Sequence, residues 1–67
     1  MNEKSKLAKE MVLYRAKERI SQAELARRAG ITVQTVNTVE NGVQNPSRVT
    51  EAKIRLVIGD ENQHIEG

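Results

Sequence analysis

Between Thr32 and Asn41 the chain reads TVQTVNTVEN. On a helix turning about 100° per residue, Val36 and Val39 share one side. Thr32, Val33 and Glu40 fall inward or at the boundary. Gln34, Thr38 and Asn41 fall on the far side, with Thr35 and Asn37 at its flanks. That outer face carries amides and hydroxyls and no charge. Gln and Asn can make paired hydrogen bonds to adenine N6 and N7, and Thr can bond a base edge or touch a thymine methyl. Such a face suits the reading of base edges and is poorly suited to neutralising phosphate. The competing reading is a plain polar helix surface. The surrounding apolar spacing and the turn before it favour the first.

Those side chains need a helix aimed by its neighbours. Ser21 with Glu24 fits a capping box, and Ile20 can pack as a hydrophobic staple. The helix they open runs to about Ala29, with Leu25, Ala26 and Ala29 apolar or small. Gly30 supplies the positive φ of a helix end, and no β-carbon is expected to fit that turn cheaply. Thr32 is a suitable N-cap for the next helix, which ends at Asn41-Gly42. Two short amphipathic helices joined by a Gly turn form a helix-turn-helix. Upstream, Leu7, Met11 and Tyr14, and less cleanly Ala8 and Val12, define a first helix over about 4–18. Its basic outer side could serve a membrane surface or a protein, but a chain this short needs the apolar stripe for its own core. Downstream, Asn45-Pro46-Ser47 marks a loop and a new start, with Glu51 in the first turn. Val49, Ala52, Ile54, Val57 and Ile58 supply the apolar positions of a fourth helix that Gly59 stops. The tail DENQHIEG has one strong apolar residue and is expected to fray.

Size and composition bound the rest. The 67 residues make one small domain without cysteine, so neither a disulfide nor a thiolate site can staple it. One histidine, His64 in the tail, is too few for a zinc site. With no thiol and no carboxylate pair in an evident pocket, the chain is read as not an enzyme, and no cofactor, metal or small-molecule ligand is expected. A single aromatic, Tyr14, argues against stacking on single-stranded nucleic acid. No run approaches the ~18 apolar residues of a membrane span, and MNEKSK lacks a signal-peptide core. A cytoplasmic location is expected. The net charge of +2 is uneven. Residues 1–59 hold 11 basic against 6 acidic groups, which favours a polyanionic partner. Arg27, Arg28, Arg48 and the lysines of the first helix are the candidates for phosphate contact.

The chain resembles the phage repressor and Cro family of helix-turn-helix regulators, also called the Xre family. The residues that carry the resemblance are Arg15, SQAELA at 21–26, AGI at 29–31, TVQTV at 32–36, VENG at 39–42 and NPS at 45–47. The resemblance covers roughly residues 7–59. It implies an all-α fold, a compact bundle of four or five helices of the lambda-repressor-like type with a central helix-turn-helix. It implies that Val33, Gln34, Thr38 and also Asn37 reach base edges, with Val33 touching a thymine methyl. Gln22, Thr35 and Asn41 would contact phosphate, as would Thr32. The family also pairs an arginine at position 15 with a glutamate at position 40, a pairing that the inward angle of Glu40 supports separately. The family's fifth helix would begin near residue 60.

The expected organisation is a DNA-binding domain over 1–59 and a polar, acidic tail over 60–67. The expected function is sequence-specific recognition of a double-stranded DNA operator by a homodimer, in a repressor or Cro-like regulator. The alternative is an antitoxin-type interaction module that neutralises a protein partner and regulates its own synthesis.

Overall fold

The computed structural model describes residues 5–59, and these form four helices and no strand. They are α1 (Lys6–Glu18), α2 (Gln22–Ala29), α3 (Val33–Glu40) and α4 (Arg48–Ile58). Each begins the same way. Ser5, Ser21, Thr32 and Ser47 hold extended backbone, and each side-chain oxygen accepts the backbone N–H three residues on, at 3.1–3.2 Å. Each cap satisfies one of the donors a helix start leaves unpaired. Only half of the expected capping box forms. Ser21 caps Glu24, but the Glu24 carboxylate turns forward to Arg27 and Arg28. Two charge-assisted bonds outweigh one neutral N–H.

The core is small and shared by all four helices. Leu7, Met11, Leu25, Ala26, Val36, Val39 and Ile54 form its buried cluster. Tyr14, Ile20, Ile31, Val57 and Ile58 pack against it half-buried. α2 lies against α3 and α4, and α1 bridges the same two helices. At eight residues α3 is too short to be stable by itself. It stands because Val36 and Val39 are buried and because Glu40, only 3% exposed, is gripped from α1.

Three expectations need correcting. Val49 and Ala52 are exposed and take no part in the core. They lie about 140° and 160° from Ile54 around α4, so one face cannot hold all three. Val12 at 38% and Val33 at 47% exposure also point outward. Val33 is the first residue of α3, ahead of the turn that Val36 anchors.

α1 ends at Arg19, a non-glycine residue in the left-handed region at φ 57°. α2 ends at Gly30, at φ 72°. A β-carbon there would meet nothing within 4 Å, so its cost is conformational and not a clash. Gly30→Val is expected to cost about 1–2 kcal/mol or more, since the left-handed region penalises a β-carbon and most of all a branched one. Gly30→Asn should cost visibly less. The midpoints of urea unfolding for the two variants measure the difference. The expected fraying of the tail and the expected fifth helix concern residues 60–67, outside the described residues.

Candidate nucleic-acid interface

The interface is built outward from a buried ion pair. Arg15 of α1 donates Nε to Glu40 Oε2 and Nη2 to Glu40 Oε1, both at 2.8 Å. This two-pronged geometry is the strongest form of such a pair. Arg15 Nη1 also reaches the Ile20 carbonyl at 3.4 Å. The hydrogen bonds to Glu40 raise the Arg15 pKa above its ordinary value, against the opposing pull of desolvation. The pair fixes the end of α3 against α1.

Gln22, in the first turn of α2, donates Nε2 to Glu40 Oε1 at 3.0 Å. Its Oε1 accepts Asn37 Nδ2 at 3.3 Å. The start of α2 and the middle of α3 therefore share one surface. On that surface Val33, Gln34, Asn37 and Asn41 are exposed, while Thr35 and Thr38 are partly so. Asn41 Nδ2 donates to Asn37 Oδ1 at 3.2 Å. Thr38 Oγ1 donates to the Thr35 carbonyl at 3.1 Å. The Thr32 and Thr35 hydroxyls lie 2.8 Å apart. The Gln34 side chain bonds none of the described residues. No charged side chain stands on the outer face of α3.

Arg27 and Arg28 are not brought to this surface. They lie about 140° and 120° from Gln22 around α2, on opposite sides. Both are drawn to Glu24, at 2.6 Å from Arg27 and 3.0 Å from Arg28. Arg28 also reaches Glu18 at 3.5 Å and the Tyr14 hydroxyl at 3.0 Å. Two arginines and two glutamates there cancel. Every acidic residue in 5–59 is bound by an arginine: Arg55 holds Glu10 and Glu51 as Arg15 holds Glu40. Among the described residues Lys9, Lys17, Arg19, Arg48 and Lys53 have no ion pair. The sequence count of net charge could not separate these two groups of cations. The i+3 and i+4 spacing of Glu24 to Arg27 and Arg28 was the available signal. The Gln22 bonds to Glu40 and Asn37 leave no signal in the sequence, because they join residues distant in the chain.

The Glu24 carboxyl is held down to about 2 by hydrogen bonds from Arg27 and then Arg28. A depressed carboxyl stabilises the fold above its unfolded value of 4.5 and loses that contribution as pH falls through about 2. A carbon-13 titration of the Glu24 carboxyl should show a midpoint near 2, and Arg27→Ala should move it upward toward 4.5. A wild-type midpoint already at 4.5 would mean the exposed pairs are not populated in solution.

Among the described residues no group of His, Cys, Asp or Glu could hold a metal ion, and no helix is long and apolar enough to cross a membrane. A family model described as helix-turn-helix matches residues 13–50, more than half of the chain. No curated protein and no solved structure matches it.

Proposed function

We propose that this chain, which belongs to the Xre and lambda-repressor type of helix-turn-helix proteins, reads the sequence of double-stranded DNA with α3 in the major groove. It is a DNA-binding transcription regulator of the helix-turn-helix kind, and we assign it the repressor or Cro-like role. One observation carries the reading. The exposed side of α3 is uncharged, and on it Gln34 has both its carbonyl and its amino group uncommitted. An amide in that state can make the paired contact that distinguishes adenine. Val33 beside it offers methyl groups to a thymine, and Thr38, whose hydroxyl hydrogen goes to a carbonyl, offers an acceptor.

Phosphate contacts fall to Gln22, Thr32, Thr35 and Asn41 at the edges of this surface, and to Arg48. The 1–59 region acts as the DNA-binding unit. A helix of eight residues is about 12 Å long and meets only a few base pairs. Specificity therefore calls for two copies on a two-fold operator, with half-sites about one helical turn, ~34 Å, apart. Selection of duplexes from a random pool, followed by sedimentation of the complex, tests both points. The expected result is a palindromic site carrying two copies. Enrichment of no sequence would contradict the reading.

The electrostatics give a separate expectation. Arg48→Ala should lower the slope of log affinity against log salt by about 1, as loss of one phosphate contact does. Arg27→Ala should leave the slope unchanged, because Glu24 already matches that charge.

A further inference from the structure

The amides around Gln22 have a direction, and a buried group sets it. A carboxylate oxygen only accepts hydrogen bonds. Glu40 Oε1, held by Arg15, therefore obliges Gln22 to present its Nε2, as the 3.0 Å contact shows. Gln22 then faces Asn37 with its carbonyl. Asn37 must answer with Nδ2, which turns its own Oδ1 to accept Asn41 Nδ2. One buried charge thus sets the orientation of three amides that reach the surface.

We infer that Glu40 is a positioning residue which, through Gln22, holds Asn37 and Asn41 as struts, and that adenine recognition on α3 belongs to Gln34 and not to Asn37. A paired contact to adenine needs both ends of an amide. Both ends of Asn37 are engaged inside the protein, and neither end of Gln34 is. The second N–H of Gln22 is left to meet an anion such as a phosphate oxygen, at an angle that Glu40 sets. The assignment withdraws Asn37 from the base-reading set. It rests on the major-groove reading proposed above.

The test has two arms. In the free protein, Gln22→Ala should move the side-chain amide signals of Asn37 and Asn41 in a nitrogen-15 spectrum and leave those of Gln34 in place. Unmoved Asn37 signals overturn the relay. In duplex selection, Asn37→Ala should keep the wild-type base preference while losing affinity evenly across sequences. Gln34→Ala should lose about 5- to 150-fold discrimination at one base pair, the value of one paired contact. A changed preference in Asn37→Ala overturns the assignment. A wild-type protein that enriches no sequence fails the major-groove reading instead, and the spectra of the free protein still decide the relay. Of the three altered residues Gln34 and Asn37 are exposed and Gln22 partly so, and thermal melts confirm that each variant is folded.

Discussion

Arg15→Ala is expected to lower stability by about 3 kcal/mol, the lower end of the roughly 3–5 kcal/mol range for breaking a buried pair. The lower end applies because the Arg15 side chain is 24% exposed, so water can enter where the guanidinium leaves. The Glu40 side chain is only 5% exposed and keeps the Gln22 amide as a partner for its charge. The effect is large against a total of roughly 0.05–0.15 kcal/mol per residue. A second variant separates the pair from its burial. Arg15→Met with Glu40→Leu removes both charges and fills the space with apolar atoms, and such replacements are often neutral or stabilising. Urea unfolding should show the double variant regaining most of the loss. A loss under about 1 kcal/mol in Arg15→Ala would place the pair among ordinary surface bridges.

Gln34→Ala has the second large effect, and it falls on binding, not on folding. The side chain is exposed and bonds nothing among the described residues. Its removal should leave the unfolding midpoint within about 0.5 kcal/mol of wild type. Affinity for the selected operator should fall by about 1–3 kcal/mol, with specificity relaxed at one base pair. Titration of operators substituted one pair at a time makes the distinction. An even loss over all sequences would move Gln34 to the phosphate-contacting group.

Much of the architecture was legible because its signals are local. Ser21, Thr32 and Ser47 mark three helix starts, and Gly30, Gly42 and Gly59 follow three helix ends. The helical period placed Val36 and Val39 inside, and it placed a charge, Glu40, where only a paired one is tolerated. Ser5 caps α1 with no sequence break before it, and the left-handed Arg19 carries no glycine to announce it. Val49 and Ala52 are apolar, but the same period that buries Ile54 turns them outward. What stayed hidden is tertiary. Nothing in the spacing of Gln22, Asn37 and Glu40 shows that two helices bring them within hydrogen-bonding reach. Nor does net charge show that Arg15, Arg27, Arg28 and Arg55 serve the protein's own carboxylates, while Arg19, Arg48 and several lysines have no ion pair among the described residues.

Methylation interference on a selected operator tests most directly whether α3 reads the major groove. A methyl on purine N7 projects into that groove, and one on adenine N3 into the minor groove. Binding should be lost when N7 is methylated at guanines within each half-site, and 7-deazaadenine, which lacks the N7 acceptor, should weaken wild type at one adenine to which Gln34→Ala is indifferent. Binding that tolerates every N7 methyl and is lost only to methylation at adenine N3 would contradict the assignment.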